Sequence, residues 1–275
     1  MLRRTTAIAT ALTVLALGSP LITACANPSI DTFNNGVDKY EQGDYQGAIA
    51  DYTKAIEVNP DFADAFLNRG MVKAKLGDNQ GAISDYDRAI EINPKFVLAY
   101  YNRGNAKHEL EDYQAAIADY NKAIEIDPEK GDAYGNRGNA KLDLGDIQGA
   151  IADYNKSIEI DPTYALAYSN RGSAKERLKD YEGAVADFTK AIEIDPKYVN
   201  AYANRGLSKG HLKDYQGSNA DLTKAIEIDP NYAIAYGNRG ITRYLLGDFK
   251  GACSDWRKGA DLGYDRSAEL LKKQC

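Results

Sequence analysis

Histidine and cysteine are scarce in this chain: two His, three Cys and one Trp among 275 residues. His108 and His211 stand three repeat units apart, and helices spaced roughly 8–10 Å cannot bring them onto one metal. There is no glycine-rich phosphate loop, no nucleophile beside a base and no isolated carboxylate pair, because the acids recur in columns. No catalytic site can be assembled from such a set, and no cofactor is implied. Proline is also sparse, eight residues, most of them at regular intervals, which leaves little room for long loops. Neither charge sign dominates: 34 Lys and Arg face 40 Asp and Glu, a net charge of −6. The two signs are interspersed, which describes a solvated surface and excludes a nucleic-acid footprint. Long apolar runs are missing too, and the longest, Ala7 to Leu17, is too short to span a bilayer comfortably.

That apolar run belongs to a leader. Met1-Leu2-Arg3-Arg4 is basic, Gly18-Ser19-Pro20 breaks the apolar middle, and Leu21 to Ala26 ends in small residues. This is the pattern of an export signal over residues 1–25. Two fates are open to it. Ile22-Thr23-Ala24-Cys25 resembles the lipobox of bacterial lipoproteins, in which Cys25 is lipidated and becomes the first mature residue. Ala24-Cys25-Ala26 equally satisfies ordinary signal cleavage. Acyl chains on Cys25 would hold the protein stably at a membrane, on the periplasmic or outer side; without them it would be soluble in the periplasm or secreted.

What the sequence has in abundance is self-similarity. Asn-Arg-Gly recurs every 34 residues, from Asn68-Arg69-Gly70 to Asn238-Arg239-Gly240, and Pro60 to Pro230 keep the same period. A strict period of this length means stacked supersecondary units. Seven fit over residues 29–266 (29–62, 63–96, 97–130, 131–164, 165–198, 199–232 and 233–266), and 267–275 remain as a capping helix. Each unit carries two helix-period segments, helix A and helix B; in the third they run from about Leu98 to Leu110 and from about Tyr113 to Ile126. An Asp stands at the start of every helix B (Asp44, Asp78, Asp112, Asp146, Asp180, Asp214, Asp248), placed to accept from first-turn amides. A Gly recurs in the middle of every helix A, from Gly36 to Gly240, where it costs about 1 kcal/mol relative to Ala. The expected reason is close crossing by the small column Ala48 to Ala252 of helix B. The tyrosines fall in two columns, one through Tyr100 and one through Tyr120, and both are expected in the core.

Tyr100, Gly104, Ala116, Tyr120, Ala123 and Pro128 together resemble the tetratricopeptide repeat pattern, and nearly every unit repeats it. The resemblance implies an all-α, right-handed superhelical solenoid whose helices A line a concave groove, and a non-enzymatic scaffold that binds protein or peptide partners. It also carries a site. Asn68, Asn102, Asn136, Asn170, Asn204 and Asn238 occupy a position that looks into the groove, and a similar asparagine ladder in a tetratricopeptide-containing glycosyltransferase holds a peptide by its main chain. A carboxamide both donates and accepts, so it suits that task; the alternative is that these asparagines bond neighbouring helices. The cations of chaperone-tail readers are missing, with Leu98, Leu166 and Asn170 among the places where they would be needed.

Two departures from the family are informative. Arg69 to Arg239 and Lys39 to Arg243 form columns four residues apart on helix A, which calls for an anion between them. Helix B supplies one per unit, Asp51 to Asp255. The first unit has Asn35 in the Arg column, and the tail, counted as an eighth unit, puts Lys273 there. The ends therefore predict that each Arg bonds the Asp of the preceding unit: Arg69 to Asp51, Arg103 to Asp85, Arg137 to Asp119.

At the C-terminus, a disulfide between Cys253 and Cys275 would pin the capping helix in an oxidising compartment; otherwise one thiol is buried and one frays. The groove reads as apolar at its ends (Phe33, Val37, Tyr40, Leu67, Met71; Leu207, Ile241, Tyr244, Leu245) and small or polar in its centre (Gly135, Asn139, Ser169, Ser173, Gly210). That profile suits an extended client segment in an envelope scaffold. A homodimer joined through the apolar ends is the alternative.

Overall fold

A computed structural model describes residues 27–275; the leader and Cys25 lie outside them. The described residues form fifteen α-helices and no strands. They run as pairs: α1 (Pro28–Glu41) and α2 (Tyr45–Val58), α3 (Ala63–Lys75) and α4 (Asn79–Ile92), α5 (Val97–Glu109) and α6 (Tyr113–Ile126), α7 (Gly131–Asp143) and α8 (Ile147–Ile160). The series continues with α9 (Ala165–Arg177) and α10 (Tyr181–Ile194), α11 (Val199–His211) and α12 (Tyr215–Ile228), α13 (Ala233–Leu245) and α14 (Phe249–Asp261), and ends in α15 (Asp265–Gln274). Each helix touches its pair partner and the next unit, so the molecule is a solenoid with a core repeated along its length. Among the described residues no helix is long and apolar enough to cross a membrane.

The local chemistry repeats with the fold. Every helix B is capped by its Asp, which accepts from the amide three residues on, as in Asp146 to Gly149 at 2.9 Å. The turn before that cap needs a left-handed residue. Gly supplies it at Gly43, Gly77, Gly145 and Gly247 (φ +82° to +90°), whereas Glu111, Lys179 and Lys213 adopt it with φ of 61° to 64°.

The mid-helix glycines have a different partner from the expected one. A Cβ on Gly138 would lie 2.7 Å from Cε1 of Tyr154, and Gly36, Gly70 and Gly104 meet Tyr52, Tyr86 and Tyr120 in the same way. The helix B ring therefore lies directly on helix A, and the small alanine column is secondary: a Cβ on Gly70 would also lie 3.2 Å from the Ala82 carbonyl oxygen. Of the two tyrosine columns, the one through Tyr120 is fully buried; the one through Tyr100 is half-buried, with the exception of Phe66, which is buried.

The C-terminal end departs from the repeat. Helix α14 stops at Asp261, Gly263 takes φ +87°, and α15 begins at Asp265, two residues early relative to α13. Tyr264 then plays the part of Tyr232, and Ser267, fully buried, takes the place of an alanine such as Ala235. This shift removes Lys273 from the Arg column. Ala268, Leu270 and Leu271 are half-buried against the last unit, and Cys253 and Cys275 are joined by a disulfide with Cα atoms 5.9 Å apart.

Candidate peptide-binding groove

The charged columns fix how successive helices A are presented. Each Arg grips the Asp of its own unit: in Arg137, Nε donates to Asp153 Oδ2 at 2.9 Å and Nη2 to Oδ1 at 2.5 Å, and Lys141 binds Oδ2 at 2.8 Å. The same fork joins Arg69 to Asp85, Arg103 to Asp119, Arg171 to Asp187, Arg205 to Asp221 and Arg239 to Asp255. The pairing with the preceding unit's Asp is thus overturned. The guanidinium has five donors in a planar fork. Two fill the near carboxylate, and Nη1 crosses to the previous unit two residues beyond the expected Asp, reaching Thr53, Asp87, Asn121, Asn155, Thr189 and Thr223. The unit-to-unit tie exists, with a different acceptor. Each Arg also lies over the ring three residues before it, as Arg137 does over Tyr134 at 5.2 Å.

On the groove side the asparagines divide into two sets. In the centre they form an inter-unit network. Asn105 Oδ1 accepts from Tyr120 at 2.8 Å and from Asn136 at 2.8 Å, and Asn136 also donates to the Tyr101 hydroxyl at 3.0 Å. One unit on, Asn139 Oδ1 accepts from Tyr154 at 2.8 Å and from Asn170 at 3.0 Å. Asn68 bonds the Tyr52 hydroxyl. Burial pushes the phenol of Tyr52 up to about 12, and those of Tyr86, Tyr120 and Tyr154 upward as well. Asn102, Asn204 and Asn238, by contrast, are half-buried with no side-chain hydrogen bond among the described residues. Sequence alone misses Asn105 and reads Asn139 only as a polar residue of the groove centre; the signal for both is that they follow the ladder residue by three on the same helix face.

The groove ends are less apolar than their sequence. Leu67 is buried, and Phe33 packs on Phe62 and Tyr52 with ring centroids 4.9 and 5.5 Å away. Met71, Leu207, Tyr244 and Leu245 remain exposed. In the centre Gly135 and Ser169 are buried and Ser173 is half-buried. Glu176 reaches across to Ser208 of the next unit, and burial raises its carboxyl above the usual carboxylate range. His108 bonds Asp143 at 3.0 Å and meets Tyr113 edge-on, while His211 stacks on Tyr181. Among the described residues no cluster of His, Cys, Asp and Glu is arranged to hold a metal.

Comparison with known proteins fits this architecture. Sequence models described as TPR repeat and tetratricopeptide repeat match residues 36–77, 71–111 and 138–179, then 97–130 and 165–198, and finally 199–232. The chain belongs to the tetratricopeptide repeat family, whose members act as protein–protein interaction scaffolds. No curated protein matches it. Among solved structures it is similar to YrrB, described as a TPR protein with an unusual peptide-binding site, at 26% identity over 67% of this chain and 95% of that one, with a TM-score of 0.55. MamA is 31% identical over 59% of this chain and 95% of its own, with a TM-score of 0.56. A tetratricopeptide repeat protein from Parabacteroides merdae shares the fold over 90% of this chain and 98% of its own, at 22% identity and a TM-score of 0.70.

Proposed function

We propose that this protein is an exported, lipid-anchored scaffold of the bacterial envelope that holds an extended protein segment in its groove by the segment's main chain. The observation that carries this is the row of half-buried carboxamides at Asn102, Asn204 and Asn238, whose donors and acceptors are unspent on the protein itself. Asn136 and Asn170 spend their donors on Asn105 and Asn139 and keep their oxygens for a ligand amide. The likeness to a peptide-binding relative supports the assignment, and the Ile22-Thr23-Ala24-Cys25 pattern supports the anchor.

The test is capture of partners from the envelope fraction by the native protein and by a variant with Asn102, Asn204 and Asn238 all changed to Ala. A partner held by the native protein and lost by the still-folded variant establishes the groove. Retention of every partner moves the search to the convex face and the ends. Self-association is the second reading, favoured by exposed Met71, Leu245 and Phe249; a solution mass of twice the chain would support it.

A further inference from the structure

In six of the seven units the buried carboxylate of helix B is gripped by an arginine of the same unit. The first unit keeps the carboxylate and lacks the arginine. Asn35 stands in the Arg column, and Asp51, only 5% exposed, is left with Lys39 on Oδ2 at 2.5 Å and Lys54 on Oδ1 at 3.5 Å. Beside it lies a crevice of about 340 Å³ lined by Asn35, Asp38, Lys39, Gln42 and Asp51. The crevice opens on the face of α1 that, in every later unit, is covered by the helix B before it; no helix precedes α1 among the described residues. Asp31 and Asp38 on that exposed face add negative charge.

We propose that the crevice at Asp51 is a receptor for a guanidinium group, taking the arginine side chain of a partner segment that docks against the N-terminal end of the solenoid. The six filled units show how the group sits, with one nitrogen pair on both carboxylate oxygens and a third nitrogen on an acceptor across the gap. Asp51 Oδ1 and Oδ2 supply the first part, and the Asn35 carboxamide, on the crevice wall at the arginine's own position in the column, offers a further acceptor, while the acceptor across the gap would come from the partner. Lysine matches this geometry poorly because its ammonium is a point donor, whereas arginine engages a carboxylate in two parallel bonds. The site lies outside the groove and does not depend on the groove's function.

The probes are two blocked pentapeptides, one with a central Arg and one with a central Lys in glycine, titrated into the protein and followed by amide shifts of residues 31–51. The Arg peptide is expected to bind about tenfold tighter than the Lys peptide, given the fork geometry. Asn35→Arg fills the crevice from within; it should raise the thermal midpoint and weaken peptide binding at least about tenfold. Because Asp51→Asn risks the fold, Asn35→Arg carries the test. Equal binding of the two peptides, Arg-peptide binding unchanged in Asn35→Arg, or no binding of either by the native protein overturns the proposal. So do concentration-dependent oligomers that Asn35→Arg abolishes without any peptide binding, since the occupant would then be a second copy.

Discussion

Gly138 lies against the ring of Tyr154 so closely that a methyl group would sit 2.7 Å from Cε1 and 3.0 Å from Cδ1. Helix propensity favours Ala there by about 1 kcal/mol, but overpacking a fixed buried ring costs about 1–3 kcal/mol. The steric term wins, so Gly138→Ala should lower stability by roughly 1–2 kcal/mol in urea unfolding; a gain would mean the ring can move. The buried phenols give a second expectation. Burial pushes Tyr52 and Tyr164 up to about 12 and raises Tyr86, Tyr120 and Tyr154 in the same direction. A folded-state value above the unfolded value of about 10 means the neutral phenol is favoured in the fold, so this stability is fully present below about pH 10 and lost as pH rises through the folded-state values. The urea midpoint should fall steeply between about pH 10 and 12, and Tyr86→Phe should reduce that fall; a flat profile would show that the rings ionise in place. Residue identities in the columns were legible from the sequence; the direction each side chain leans was not. Arg137 shows why: the column gives an arginine one helix from two acids, and only the fork geometry at Asp153 decides between them.

Helix boundaries were the most legible elements. An Asp in the same place in seven units announces a cap, and each Pro announces that helix B has ended. The exception, α14, ended early for a reason visible in hindsight, since Gly263 and Tyr264 stand where other units have Asp or Asn followed by Pro. Losing the Pro and placing a left-handed Gly after Leu262 allows a tighter turn, so α15 docks two residues ahead of the repeat and the disulfide closes between Cys253 and Cys275. The same left-handed position between helix A and helix B offers a prediction. Lys179 occupies it with φ 62°, whereas Gly145 in the unit before uses φ +85°. An L-residue with a Cβ pays about 1 kcal/mol or more in that region, part of which glycine returns as greater unfolded-state entropy. Lys179→Gly should therefore stabilise the protein by about 0.5–1 kcal/mol. Thermal unfolding followed by circular dichroism measures this, and a lowered midpoint would mean that the lysine makes a compensating contact.

At the scale of the whole molecule, stability is distributed along a line of similar units joined by the Arg crossing bonds, so the chain should tolerate loss of a complete unit far better than loss of a shorter piece. Removing residues 131–164 joins Lys130 to Ala165 and keeps the 34-residue register. Arg171 retains Asp187 within its own unit and finds Asn121 where it now finds Asn155, the same side chain in the same column. Asn170 likewise finds Asn105 where it now finds Asn139. His108 loses Asp143 and meets Arg177 in its place, the Arg and Asn ties across the new junction are kept, and one interface is lost. The deleted protein should fold with unchanged helicity per residue and a thermal midpoint lower by a few degrees, about 2–8 °C on the scale of one lost interface. Removing 138–167 instead, four residues short of the period, joins Arg137 to Tyr168 within helix A and inserts more than a turn there, so the start of that helix and Arg171 cannot both keep their places against α6; it should aggregate or unfold. Equal behaviour of the two deletions would show that the crossing bonds do not set the register. In that case the shape of the groove would rest on ring packing alone.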